Sequence, residues 1–426
     1  MRSCVNNYKP IPEKKFIGFL EGSLLSENIN NKKVLVIIPD STRSGPTGLL
    51  FKTIIAAIYP STKKLDFMIA LGTHPLMGNA SLEKMLDMTH DEILGKYPGV
   101  NIYQHRWDDN KEIVNIGTIT SDQISEISGG LLSEDIPVTI NRRIMDYDHI
   151  ILAGPVFPHE VVGFSGGYKY IFPGVSGPHF LHKFHWLGAL ITNPKINGVK
   201  YTPVRNAINK AVSFINRPIT QICYVVKEKS VYGIFIGEED AWSFAADLSA
   251  HLNITYLDKP YKRVLSMAPS MYDDIWTAGK CMYKLEPIVA DGGTLIIYAP
   301  HIKEISYTHG KHIKKIGYHT RDYFLNQWER FKNFPGGILA HSTHVKGIGT
   351  FIDGVETPRI NVCLATKISK QTCEQINLDY VNPNTLDISS FKNNDSLIVE
   401  NAGEVLFRLK DGSIPDIDIL YRKQNE

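Results

Sequence analysis

Cysteine is scarce: the 426 residues hold five (Cys4, Cys223, Cys281, Cys363 and Cys373), and no two form a CxxC pair. An odd count without metal spacing argues against a disulfide framework or a cysteine-built zinc site and fits a reducing compartment. Long hydrophobic runs are missing as well. No stretch approaches the ~18 apolar residues of a membrane span, and the opening MRSCVNNYKPIPEKKF has no apolar signal region, so a soluble, cytoplasmic protein without a membrane partner is expected. Charge of one sign is also lacking. The 46 basic residues are nearly matched by 44 acidic ones, for a net charge of +2, which argues against nucleic acid as a partner. Short basic runs such as Lys311-His312-Ile313-Lys314-Lys315 read as solvated faces. No HExxH is present, and PDSTRSGPT stands where a dinucleotide fold would carry GxGxxG, so the usual marks of a zinc hydrolase and of an NAD-dependent dehydrogenase are both missing.

What is present is an ordinary globular mix, 43% hydrophobic and 21% charged, in a chain long enough for two or three domains. Apolar runs rich in Val, Ile and Leu alternate with longer helix-like stretches, the pattern of buried parallel strands joined by helical crossovers. Strands are expected at Val34–Ile38, Asp66–Leu71, Ile102–His105, His149–Ala153, Val264–Met267 and Thr294–Tyr298. Helices are expected at Thr47–Ala57, Ser81–Asp87, Pro203–Ile215, Asp273–Ala290 and Arg321–Phe331. A boundary near residues 245–260, around Ser249–Lys262, divides the chain into two domains, 1–250 and 255–426, and the sequence leaves open whether the last twenty or so residues return to the first. Both read as doubly wound α/β domains, with the active site expected in the cleft between them.

Several strand runs end in residues capable of chemistry. KVLVIIP leads into Asp40-Ser41-Thr42-Arg43, KLDFMIALGT into His74, and HIILAGPVFP into His159, while RVLSMA precedes a helix carrying Thr277 and Lys280. Open α/β sheets bind ligands beyond the carboxyl ends of their strands, so the shared placement marks a candidate site. The densest segment is HEVVGFSGGYKYIFPGVSGPHFLHKFHW, residues 159–186, whose glycines allow positive φ and close backbone approach to a ligand. Gly166-Gly167-Tyr168-Lys169 lacks the spacing and the following Ser or Thr of a P-loop.

That segment resembles the cofactor-attachment region of the nickel-pincer nucleotide-dependent, lactate racemase-like family. The family pattern has a His, a Lys ten residues on and a His sixteen further, with G-[FY]-S-G-G-x-K and P-G-[IV] between. Here these are His159, Lys169 and His185, with Gly163–Lys169 and Pro173–Val175 between them. The family's D-x-T-R is similar to Asp40–Arg43, its G-x-H followed by Met to Gly72–Met77, and its [QN]-H-x-x-x-D to Gln104–Asp109. The resemblance covers most of residues 30–300.

It implies an isomerase that inverts C2 of a 2-hydroxy acid by proton-coupled hydride transfer. The implied cofactors are nickel and a pyridinium-3,5-bisthiocarboxylic acid mononucleotide, whose sulfurs pincer the metal and which is commonly joined to a lysine. Lys169 matches that lysine, Ser165, Gly166 and Gly167 the cofactor-binding loop, and His185 the nickel ligand, with His179 and His182 as nearby alternatives. His74 and His159 match the pair of bases, and Arg43 the grip on the substrate carboxylate. Asp40, placed with the substrate-binding residues, is expected to orient Arg43 or His74. Lys280 and Thr277 match the family's substrate-contacting Gln-x-x-Lys, with Thr277 a departure from the long amide. That departure favours a polyhydroxy (aldonic) acid over lactate or another short 2-hydroxy acid. A zinc-dependent hydrolase and a non-catalytic binding protein are the alternatives from other classes. His341-Ser342-Thr343-His344-Val345-Lys346-Gly347 matches no family motif and reads either as pocket lining or as a solvated loop. The oligomeric state, and whether a covalent bond forms at Lys169, are left open.

Overall fold

A computed structural model describes residues 1–425. The chain divides into two compact units: residues 1–157, 164–181 and 205–252 form the first, and residues 158–163, 182–204 and those from Asn253 onward form the second.

The first unit is built on a seven-stranded sheet. Its spatial order is Arg2–Val5, Ser230–Gly237, Ile219–Lys227, His149–Pro155, Lys33–Pro39, Lys64–Ala70 and Ile102–Gln104. The last five of these run parallel, with Val36 opposite both Phe67 and Ile151. The other two form an antiparallel edge. The central strands are buried on both faces, which explains why their sequences read as unbroken apolar runs: Val34, Leu35, Val36, Ile37 and Ile38 are all fully buried. The parallel part begins at Lys33–Pro39, lays two strands to one side of it and then crosses to His149–Pro155 on the other. The strand order therefore reverses between these two strands, and their carboxyl ends lead into Asp40–Arg43 and toward His159.

The second unit holds a five-stranded parallel sheet in the order Asp379–Tyr380, Asn361–Thr366, Val289–Ala299, Tyr261–Met267 and Ser396–Val399. Its order reverses at Tyr261–Met267, and the residues after that strand lead into the short helices Ile275–Ala278 and Lys280–Tyr283. The expected α/β class with parallel sheets is what the structure shows. Two helices expected as single elements are broken: Asp273–Ala290 becomes those two short helices and a 3₁₀ turn at Glu286–Ile288, and Arg321–Phe331 becomes Arg321–Leu325 and Trp328–Phe331. The last residues, whose return to the first domain the sequence leaves open, do not take that place. The helix Ile417–Asn425 belongs to the second unit, where Tyr421 Oη donates to Asp322 at 2.6 Å. Residues 158–163 and 182–204, expected in the first domain, also belong to the second unit.

Candidate active site

In the first unit the loop after Lys33–Pro39 folds Asp40 back on itself. Asp40 Oδ1 accepts from the Thr42 amide at 3.1 Å and from the Thr42 hydroxyl at 2.7 Å, which turns Oδ2 toward His74, 2.5 Å from its Nδ1. Asp40 Oδ2 thus faces His74. His74 follows the next strand and stays partly open, its side chain 31% exposed. Arg43 lies close enough to the buried Tyr170 to oppose the upward push that burial exerts on the phenol. The loop after Pro39 thus meets the segment that carries Lys169.

That segment is clamped to the sheet from beneath. The Ser165 hydroxyl accepts from the Phe157 amide at 2.9 Å and donates to Pro155 O at 3.4 Å. The Ser165 carbonyl accepts from Trp242 Nε1 at 2.9 Å, and the Phe164 carbonyl accepts from the guanidinium of Arg205, which lies 3.9 Å over the Trp242 ring. Gly167 has φ +59°, and a Cβ there would stand 2.3 Å from Gln221 Oε1. Gly166, at φ +80°, would press on Val156 in the same way. Ser165, Gly166 and Gly167, expected to bind cofactor, therefore make their close contacts with protein, and the glycines are required because the loop lies flat on the strand ends. The result is a rigid 3₁₀ turn, Gly167–Tyr170, that presents the half-buried Lys169.

In the second unit His159 is 4% exposed, with Nδ1 3.1 Å from the Val161 amide and 3.4 Å from Glu160 Oε2. Glu160 also accepts from Tyr283 Oη at 3.2 Å. His185 lies on the helix Pro178–Ile191, half-buried and edge-on to Phe184 at 5.6 Å. The two other histidines of that helix differ from it: His179 is exposed, and His182 Nδ1 faces the Gly337 amide at 3.4 Å. Thr277 and Lys280 lie on either side of the turn at Gly279, where one short helix ends and the next begins. Thr277 donates its amide to Asp274 Oδ1 at 2.9 Å, and its hydroxyl faces the same carboxylate. Burial pushes the Asp274 carboxyl up, and these donors pull it back. Lys280 is buried, with Nζ 4.9 Å over the Tyr272 ring.

The structure also describes His105 and the cluster that begins at His341. His105, part of the matched Gln104–Asp109 motif, is a buried strut, with Nε2 2.9 Å from Ser176 O and Nδ1 3.3 Å from Asn141 Nδ2. The cluster from His341 onward is not a solvated loop but a buried helix, Gly336–Lys346. Sequence reasoning passed over Glu160, Trp276, Tyr283 and Tyr318. Only Glu160 carried a signal, its place next to His159. A cavity of about 770 Å³ in the first unit is lined by Arg2, Glu27, Lys32 and His149. It opens at the amino ends of the parallel strands, the side opposite to that used by ligands of such sheets. Among the described residues no group of three or more His, Cys, Asp or Glu side chains is arranged to hold a metal ion.

Two sheets whose orders reverse, each with polar residues beyond the carboxyl ends of the central strands, define a ligand-binding α/β protein. Residues 20–197 match the lactate racemase N-terminal domain. The chain is 24% identical over 301 residues to the lactate racemase of Lactiplantibacillus plantarum, and 23% identical over 299 residues to that of Thermoanaerobacterium thermosaccharolyticum. These matches take in 67% and 68% of this chain and 65% and 63% of the two relatives, just under two thirds of their length. Among solved structures, a Thermotoga maritima protein is 32% identical with a TM-score of 0.88, covering 96% of this chain and all of that one. The lactate racemase apoprotein of T. thermosaccharolyticum, at 18% identity, shares the fold, with a TM-score of 0.70 over 94% of this chain and 93% of that one. The chain is thus similar to lactate racemases, whose N-terminal domain it matches over residues 20–197.

Proposed function

We propose that this chain is a racemase or epimerase that inverts C2 of a 2-hydroxy acid, with a polyhydroxy (aldonic) acid as substrate and a nickel-pincer nucleotide as cofactor. The observation that carries the reading is that each candidate base stands beside a carboxylate: His74 beside Asp40 at 2.5 Å, and His159 beside Glu160 at 3.4 Å. Inverting a carbon that bears a hydroxyl requires one group to take the hydroxyl proton from one enantiomer and another to serve the opposite one. A carboxylate next to each imidazole steadies the imidazolium that forms when the proton arrives.

The donor set fits the implied cofactor. A metal bound through a nucleotide would still take a ligand from the protein, and an imidazole suits nickel. His185, half-buried on the helix Pro178–Ile191, would supply one. The chemistry this cofactor supplies when bound is reversible acceptance of the C2 hydride. The chain's own part is then to hold and to move protons. Lys169 anchors the nucleotide from its clamped turn, and Arg43 takes the substrate carboxylate in a bidentate grip. Lys280 adds a second positive charge toward the substrate, and His74 and His159 exchange the hydroxyl proton. Five cysteines, all buried and free, suit a reducing, cytoplasmic setting.

The name of the matched relatives favours lactate as a second reading. The short Thr277 side chain, turned to the helix cap, favours a longer acid that fills the space. Protein purified from a host that makes the cofactor is expected to carry nickel near one per chain and to invert four- to six-carbon polyhydroxy acids faster than lactate. Chiral chromatography of a panel of single-enantiomer acids decides between the two. Lactate as the fastest substrate would remove the aldonate reading, and no inversion of any 2-hydroxy acid would remove the racemase reading.

A further inference from the structure

The two-base reading leaves a cluster of aromatic side chains in the second unit unused. His341 and His344, three residues apart on Gly336–Lys346, are both under a tenth exposed. This helix runs beside Pro178–Ile191. The Gly337 amide faces His182, and one turn further along each helix His341 comes within electrostatic reach of His185. The His341 ring lies against the half-buried indole of Trp276, with centroids 4.1 Å apart and planes at 30°. On the same indole the His309 ring lies at 4.4 Å. The edge of the His341 ring touches the turn between Thr277 and Lys280, for a Cβ on Gly279 would stand 3.1 Å from its Cε1.

One tautomer of the ring leaves a donor for a ligand. Tyr318 Oη lies 3.3 Å from His341 Nε2, its hydrogen-bond partner among the described residues. Tyr318 is fully buried, and burial raises its phenol well above the ordinary value, so the hydroxyl keeps a proton that it can donate to Nε2. Burial, reinforced by His344, His309 and His185, holds the His341 imidazole well below its ordinary pKa, so the ring stays neutral. A neutral ring that accepts at Nε2 carries its proton on Nδ1. Among the described residues no acceptor takes that proton.

We propose that His341 is a specificity-determining residue, donating from Nδ1–H to a hydroxyl of the substrate chain beyond C2, with the Trp276 indole as the wall on which that chain's C–H groups lie. A neutral donor suits a hydroxyl, since it adds no positive charge to draw the carboxylate away from Arg43. An aromatic face with a polar edge matches the alternating C–H and O–H character of a polyhydroxy chain. The inference rests on the reading that the Thr277–Lys280 turn meets a 2-hydroxy acid.

The test compares kcat/KM on a six-carbon aldonic acid and on lactate for cofactor-loaded wild type, His341→Leu, His341→Asn and Tyr318→Phe. Losing one hydrogen bond to the distal chain is expected to lower the aldonate-to-lactate ratio roughly tenfold in His341→Leu, mainly through KM. His341→Asn, whose amide nitrogen takes the place of Nδ1, is expected to recover most of it. Tyr318→Phe, which frees the tautomer, is expected to lose a smaller factor of the same sign. An unmoved ratio in His341→Leu, or in Tyr318→Phe should the first variant not fold, overturns the proposal while the racemase reading stands. A wild type that inverts neither acid overturns that reading, and the proposal with it.

Discussion

Asp40 Oδ2 lies 2.5 Å from Nδ1 of His74, and the opposite oxygen of the same carboxylate is held by the amide and hydroxyl of Thr42. A carboxylate fixed at one oxygen orients the ring it touches with the other. Asp40 is thus a positioning residue for His74, and Asp40→Asn is expected to lower kcat by roughly tenfold or more while leaving KM within a few-fold. His74→Ala is expected to cost about a hundredfold or more in both directions of inversion. Steady-state assays started from each enantiomer check this. A KM effect without a kcat effect would assign Asp40 to substrate binding instead.

The same reasoning applies to His159 and Glu160 in the second unit. His159→Ala is expected to lower turnover from both enantiomers about a hundredfold or more, since a full conversion passes through both proton transfers. Glu160→Gln keeps an acceptor for Tyr283 Oη but removes the charge 3.4 Å from His159, so its loss is expected to be smaller. If only one of His74→Ala and His159→Ala loses activity, a one-base mechanism is the better account.

Metal retention tests His185. Elemental analysis of cofactor-loaded protein is expected to find nickel near one per chain, and His185→Ala is expected to lose it. His182→Ala is expected to keep it, because that imidazole faces the Gly337 amide. Full nickel occupancy in His185→Ala would place the ligand elsewhere.

The strand cores were legible because a strand buried on both faces admits little but apolar residues: the run at Val34–Ile38 lies inside the observed strand Lys33–Pro39. The strand-end residues were legible for the same reason, since polarity returns where the sheet stops. What failed was continuity. Asp273–Ala290 has a helical pattern, yet Gly279 ends one short helix, and Pro287, which has no amide proton, falls in a 3₁₀ turn. The membership of residues 158–163 and 182–204 in the second unit was hidden because it depends on contacts far along the chain, such as Asn193 Nδ2 donating to Tyr283 O at 2.9 Å. Such partners leave no mark on local periodicity. The partnership of Tyr318 with His341, 23 residues apart, was hidden for the same reason.

Buried histidines set the pH dependence of stability. Burial pushes His105, His149 and His344 down to about 4, and holds His341 well below its ordinary value. In the unfolded chain each titrates near 6.5. Between about 6.5 and 4 the unfolded chain therefore binds protons that the folded chain does not. Stability is full above that window and falls as the pH drops through it. Each histidine contributes a slope on the order of 1 kcal/mol per pH unit. Glu286 and Asp274 oppose this, because burial raises their carboxyls and the folded state takes up their protons first. Four histidines outweigh two carboxyls, so the urea midpoint is expected to fall steadily from pH 7 to pH 5. His149→Gln keeps a polar group opposite the Thr220 hydroxyl, which lies 2.9 Å from Nε2, but cannot take up a proton. It is expected to flatten the slope by about one histidine's share. A slope identical to that of wild type would show that His149 gains its proton in the folded chain as well.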